Sequence, residues 1–262
     1  GPVLGVAWDG AGYGADASIW GGEFLTVDAT GFSRVAHLLP FRLAGGETAI
    51  REPRRAALGV LHIIFGEAAF EMTDLDPVAA FAQTERQVLG AMLRRGVSAP
   101  LTSSAGRLFD AVAALLDLVQ IASFEGQAAM AVEFAAQRAV ESVSLAAPRL
   151  SERAGNLLID WRPMLADIVA GWRDGVAAPA LAAAFHESLV EAVIAVAMRV
   201  EREQVLLCGG CFQNARLVER AVRRLHEAGF RPYWHRRIPP NDGGIAVGQA
   251  VFAARPPTEE KI

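Results

Sequence analysis

Both cysteines of this chain fall in one stretch, VLLCGGCFQNARL, as Cys208 and Cys211 with two glycines between them. A Cys-x-x-Cys spacing serves either a dithiol redox pair or half of a zinc site. Structural zinc takes four ligands, and no second Cys-x-x-Cys or closely spaced histidine pair accompanies this one. The histidines (37, 62, 186, 226, 235) include no i,i+4 pair. A redox pair wants its motif at a helix start after a strand, which the residue order allows, yet no cis-proline segment of the thioredoxin kind is recognisable. The competing reading is a strand–Gly-Gly–helix turn lying against a planar nucleoside. Gly209 and Gly210 then permit close approach, and Asn214 on the first helical turn bonds a ribose or a base edge. The thiols become small buried side chains.

A second glycine run, DGAGYG (9–14), follows the first apolar segment. Its G-x-G-x-G spacing is not the dinucleotide fingerprint, and a strand rather than a helix comes next, so no helix N-terminus waits for a pyrophosphate. A strand–Asp-Gly-x-Gly–strand hairpin instead offers backbone N–H groups to phosphate oxygens, as in the phosphate loop of actin-like folds, with Asp9 able to orient a metal or water. A plain glycine hairpin without a ligand is the alternative. In TSSAGRLFDAVAALL, Ser103 or Ser104 caps a helix. Asp110 sits among apolar neighbours there, where it either faces solvent or accepts hydrogen bonds from a sugar. SFEGQAA opens another helix, with Ser123, Glu125 and Gly126 at its exposed start. In PPNDGGIAVGQA, Asn241 or Asp242 caps the last helix, and Gly243, Gly244 and Gly248 let it lie close on a sheet. As a metal ligand Asp242 needs further partners.

The elements that must position these residues follow from periodicity. Residues 3–8, 18–28 and 32–43 read as three antiparallel strands. Helical spacing runs over 47–65, 77–95, 104–118, 126–146, 163–173 and 179–202. QVLLC is then a strand, 212–228 a helix, RPYWH a strand and 243–254 a closing helix. This order describes an α/β, ribonuclease-H-like lobe. Its strands occupy 3–43, a helical insertion about 45–202, and strand-helix-strand-helix 204–254, with a tail at 256–262. Twenty-five basic against 29 acidic residues give a net charge of −4 with no basic stripe, which argues against a nucleic-acid partner. The most apolar run, 177–198, carries His186, Glu187 and Glu191 and is expected as a buried core helix, not a membrane span. Two cysteines and no secretory signal fit a reducing cytoplasm. The apolar strand begins almost at residue 3, as in a piece cut from a longer protein.

Taken in order, VLGVAWDGAGYG, IWGGEFL, REPRRAAL, TSSAGRLFDAVAALL, SFEGQAAM, CGGCFQNARLVE and HRRIPPNDGGIAVGQAV resemble the hydrogenase-maturation carbamoyltransferases of the HypF family. The resemblance implies the second lobe of an actin-like ATPase fold, residues 1–255. It implies transfer of a carbamoyl group from carbamoyl-adenylate to the C-terminal cysteine of a partner, HypE, for the cyanide ligands of nickel–iron hydrogenase. Carried over, it assigns Asp9, Gly10, Ala11, Gly12 and Tyr13 to the phosphate loop, and Asp110, Gly126 and Asn214 to sugar and nucleoside contacts beside Gly209 and Gly210. Asp242 becomes a carboxylate ligand for a divalent metal accompanying ATP. The family's histidine metal motif and first lobe are absent from these residues, so the implied metal site is incomplete. No catalytic side chain is assigned. A separately encoded first lobe or a homodimer would then complete the cleft. The alternatives are a catalytically incomplete nucleotide-binding or dimerisation module, or a small-molecule O-carbamoyltransferase.

Overall fold

The structure is a computed structural model that describes residues 2–28 and 30–254. The expected tail, 256–262, lies outside the described residues. The chain opens with β1 (Val3–Tyr13), β2 (Ile19–Val27), β3 (Phe32–Leu38) and the short β4 (Phe41–Arg42). Helices α1 (Glu47–Arg51), α2 (Pro53–Phe65), α3 (Asp76–Ala79) and α4 (Gln83–Arg95) follow, then β5 (Leu101–Thr102). Next come α5 (Ala105–Leu115), α6 (Gln127–Gln137), a hairpin of β6 (Arg149–Arg153) and β7 (Asn156–Asp160), α7 (Arg162–Arg173) and α8 (Ala178–Val200). The last stretch is β8 (Gln204–Cys208), α9 (Ala215–Glu227), β9 (Arg231–Trp234) and α10 (Ile245–Ala253).

Among the described residues the strands form one mixed sheet in the order β6-β7-β3-β2-β1-β8-β9, with β5 bridging β2 and β4. β1 pairs antiparallel with β2 and parallel with β8, so the two glycine-rich segments leave neighbouring strands. Alternate apolar side chains of β1, Leu4, Val6 and Trp8, are fully buried, which fixes its register. Trp8 meets Phe24 edge-on and stacks on Phe212 at 5.7 Å, pinning the turn after β8 to β1. α5 packs on β1 and α2, while α8 carries α6, α7 and α9. By length and mean hydropathy α8 could cross a membrane, but 72% of its most apolar window is buried inside the protein. It is the core helix that its sequence predicts.

Four differences from the expected elements matter. The segment expected as wholly helical, about 45–202, contains the β6–β7 hairpin, which extends the sheet through a parallel β7–β3 pairing. Its turn, Ala154-Gly155, has positive φ at both residues, and alanine gives no warning of that. The helix expected to reach 146 stops at Gln137. β1 does not end at Trp8 but runs on to Tyr13, with an irregularity between Trp8 and Gly12 that absorbs the glycines. The turn lies instead at 14–18, closed by the Gly14 N–H on the Ser18 carbonyl and by Asp16, whose Oδ1 accepts from the Ser18 N–H at 3.1 Å. α10 does not lie on the sheet: none of its residues is buried, and its main neighbour among the described residues is the turn at 242–244.

Candidate functional site

A cleft of about 610 Å³ opens between the end of β1, the N-terminal half of α5, one face of α6 and the turns after β8 and β9. Its floor is Asp9-Gly10. Ser104 holds that floor down: its hydroxyl donates within reach of the Asp9 and Gly10 carbonyls, at 2.6 and 2.8 Å. The same oxygen accepts the Arg107 N–H at 3.0 Å, so Ser104, not Ser103, caps α5. Gly106 makes this approach possible. A Cβ on it would lie 2.8 Å from the Gly10 Cα, backbone against backbone.

The turn after β8 closes a second side. Gly209, at φ +99°, packs on the Trp8 carbonyl with no room for a Cβ, and its N–H donates to the Pro240 carbonyl at 2.9 Å. That bond draws the 239–242 loop, and with it Asp242, to the cleft. Gly210 stands with its would-be Cβ 2.9 Å from Asp9 Oδ1. Asn214 caps α9 instead of lying on its first turn: its Oδ1 accepts the Leu217 N–H at 2.9 Å. Its amide nitrogen meets His186 Nε2 at 2.9 Å. The other ring nitrogen of His186 lies 2.7 Å from the Ala182 carbonyl, which makes Nδ1 the donor and Nε2 the acceptor. Burial drives His186 down to about 4, so the imidazole is neutral and locks the orientation of the Asn214 amide.

Asp110 is buried, which removes the solvent-facing reading. Burial raises its carboxyl to about 6 despite the lowering effect of Arg107. Gly126 starts α6 at φ +80° with nothing within 4 Å of a would-be Cβ, open to the cleft. From there Ala129, Met130, Glu133 and Phe134 present one helix face to it. Glu133 also accepts the Ala215 N–H at 2.8 Å, tying the α6 wall to the start of α9.

Of the residues expected at a nucleotide site, the cleft thus gathers Asp9, Gly10, Asp110, Gly126, Gly210, Asn214 and Asp242. Gly209 lies just behind it. Ala11, Gly12 and Tyr13 do not line it, because they continue the β1–β2 ladder outward; Gly12 pairs with Trp20 and Tyr13 is 95% exposed. The sequence reading missed Gly106, Arg107, Glu133 and the apolar pair Met130 and Phe134. Arg107 left a trace, a lone cation three residues before Asp110 in an apolar helix.

Neither cysteine is paired, and burial pushes the Cys208 thiol up to about 11 and that of Cys211 higher still. Both are therefore poor nucleophiles and poor metal ligands at neutral pH. Among the described residues no three His, Cys, Asp or Glu side chains come together to hold a metal. Asp9 and Asp242 share the cleft, but they do not make a metal centre unaided.

Comparison with known proteins defines the class first. The profile described as "Carbamoyltransferase, Kae1-like Domain, second subdomain" matches residues 5–249. The carbamoyltransferase HypF of Synechocystis sp. is 40% identical over 262 residues, covering 95% of this chain and 34% of that protein. That of Rhodobacter capsulatus is 41% identical, covering 97% of this chain and 32% of its own length. Full-length HypF, solved in a phosphate- and nucleotide-bound form, superposes with a TM-score of 0.86 at 34% identity over 97% of this chain and 39% of that one. T. kodakarensis HypF gives 0.80 at 27% identity, over 96% and 34%. This chain belongs to the HypF carbamoyltransferase family. It spans about a third of the length of those two curated relatives, 34% and 32%.

Proposed function

We propose that this chain supplies one wall of the nucleotide site of a HypF carbamoyltransferase, which moves a carbamoyl group from carbamoyl-adenylate to the C-terminal cysteine of a HypE-like acceptor during nickel–iron hydrogenase maturation. The observation that carries this reading is the cleft floor, where Gly10 and Gly210 leave the backbone beside Asp9 without side chains and Gly106 lets α5 close on it. A phosphate can approach such a floor without meeting a Cβ. The phosphate- and nucleotide-bound form of the full-length relative supports it.

In the transfer, a thiolate sulfur attacks the carbamoyl carbon, the bond from that carbon to the phosphate oxygen breaks, and AMP leaves with the electron pair. The step needs in-line positioning, stabilisation of the phosphate charge and exclusion of water. Bare backbone and Arg107 serve the first two. The raised thiols of Cys208 and Cys211 fit an attacking sulfur that comes from another molecule. Water exclusion needs an opposite wall, which we assign to a first lobe or, failing that, a second copy. The uncovered apolar residues Ile245, Val251 and Phe252 of α10 favour such a cover. The chain alone then binds nucleotide weakly and transfers poorly. A divalent metal would have to draw its remaining ligands from that other wall, beside Asp242. We read the compartment as the reducing cytoplasm, in keeping with two free thiols.

Calorimetric titration of MgATP into the chain, repeated on Gly10→Val, tests the reading. A Cβ at residue 10 would meet only the flexible end of Arg107, 3.3 Å from Nη2, and a branched side chain on it crowds the cleft floor; an unchanged unfolding midpoint for Gly10→Val checks that the fold is kept. Binding that Gly10→Val abolishes is the expected result. Binding that survives unchanged would move the site elsewhere.

A further inference from the structure

Arg107 is the one cation lining the cleft among the described residues, facing the carboxylates of Asp9, Asp110, Glu125, Glu133 and Asp242. Its side chain is 7% exposed, and its Nη1 lies 2.7 Å from Asp110 Oδ2. That contact has the distance of an ion pair without the direction of a hydrogen bond. Nε and Nη1 of Arg107 and Oδ2 of Asp110 all lack a hydrogen-bonding partner among the described residues. Every residue of α5 is buried, most of them within the apolar core, and among the described residues no protein group accepts a hydrogen bond from Arg107 Nε or Nη1. Replacing a buried ion pair by apolar groups of similar shape is often neutral or stabilising, so stability alone does not explain the pair. Its position does. The guanidinium lies over Gly10, with Nη2 3.3 Å from where a Cβ would stand, directly beside the bare floor.

We infer that Arg107 reads the phosphate of the bound ligand, a nucleoside monophosphate or its acyl phosphate, with Asp110 holding the guanidinium in place until the anion arrives. The inference rests on the nucleotide reading above and adds a specificity residue to it. A planar guanidinium matches two oxygens of one phosphate, which a lysine ammonium on the same stem does not reproduce. In a cleft whose other charged side chains are all carboxylates, it is also the group that makes an anion welcome. As AMP departs from the carbamoyl carbon, charge grows on that phosphate, and a donor already aimed there favours departure.

The test compares AMP with adenosine by calorimetry on the 262-residue chain and on Arg107→Lys, which keeps the charge that Asp110 needs and so keeps the fold. Loss of a charge-assisted fork predicts at least about a tenfold drop in AMP affinity, with adenosine affinity moving less than about twofold. Arg107→Met with Asp110→Asn, which removes both charges together, is expected to show the same loss of preference. An unchanged AMP-to-adenosine ratio in Arg107→Lys overturns the assignment, whether both affinities hold or both fall together. A wild-type chain that binds neither ligand overturns the nucleotide reading itself, and this inference with it.

Discussion

Helices α5 and α10 are alike in sequence and opposite in environment. Each is built of alanine and aliphatic residues around one glycine and one phenylalanine: Gly106 and Phe109 in the first, Gly248 and Phe252 in the second. All eleven residues of α5 are buried, and none of α10 is. The paradox lies in the charges. The buried helix carries Arg107 and Asp110, and the exposed one carries no ionisable group at all. Hydrophobic sorting alone would place them the other way round. The difference teaches that burial in this fold is set by position and not by apolar content alone: α5 is enclosed with its two charges facing the cleft, and α10 leaves its apolar side chains exposed.

The largest expected effect separates the helices by their aromatic rings. Phe109 is fully enclosed, edge-on to Phe185 at 5.0 Å and to His186 at 5.3 Å. Phe109→Ala is expected to cost about 3–5 kcal/mol in urea unfolding, through lost transfer energy and the cavity left behind. A loss under about 1 kcal/mol would mean that α5 is not the packed centre described here.

Titration is the next contrast, and it belongs to the α5 side alone. His186 is depressed from 6.5 to about 4, so the unfolded chain binds the extra proton first and stability falls as pH drops through that window. Asp110 is raised from 3.8 to about 6, so its contribution is present at low pH and is lost as pH rises through that window. Each shift is worth on the order of 3 kcal/mol, and between pH 4 and 6 the two oppose each other. The expected stability profile there is nearly flat. Asp110→Asn lowers stability above about pH 6, where the ionised Asp110 would otherwise pair with Arg107, and unmasks a decline below pH 6.5. His186→Gln does the reverse, leaving stability to decline as pH rises toward 6. Two parallel profiles would show that neither group is buried as described.

How much of this contrast could be read from sequence depends on what each residue needs. β8, β9, α9 and the start of α5 follow local rules: a short apolar run, an amphipathic stripe, a serine cap. The β6–β7 hairpin escaped because β6, RLSER, is an exposed edge strand with charges where apolar alternation would be the signal. Asp110 stood out as a carboxylate among apolar neighbours, but Arg107 comes to the cleft only because Gly106 presses α5 onto Gly10, a contact between residues 96 positions apart. The glycines of 9–14 looked like a turn, since a strand that absorbs them through an irregularity has no local mark. The exposure of α10 was illegible for the opposite reason: an apolar helix predicts burial, and the sequence does not say by what.

The glycines give a smaller and more discriminating test. A Cβ at Gly106 would stand 2.8 Å from the Gly10 Cα and 3.1 Å from the Asp9 carbonyl oxygen, and neither can yield without moving a strand. Gly106→Ala gains helix propensity but is expected to lose about 1–3 kcal/mol net from overpacking, and MgATP binding with it. A neutral Gly106→Ala would mean that helix and strand sit further apart than the cleft floor requires.

The same substitution in α10 should change sign. Nothing stands within 4 Å of a Cβ at Gly248, so Gly248→Ala is expected to stabilise the chain by up to about 1 kcal/mol through propensity alone. Phe252, 73% exposed, should tolerate Ala within about 0.5 kcal/mol. If Phe252→Ala instead costs more than about 1 kcal/mol, α10 is covered in solution, and protein concentration then decides how. A loss that grows with concentration points to a second copy lying on α10. A loss independent of concentration means that the chain folds α10 back on itself, and the two helices are then not opposites at all.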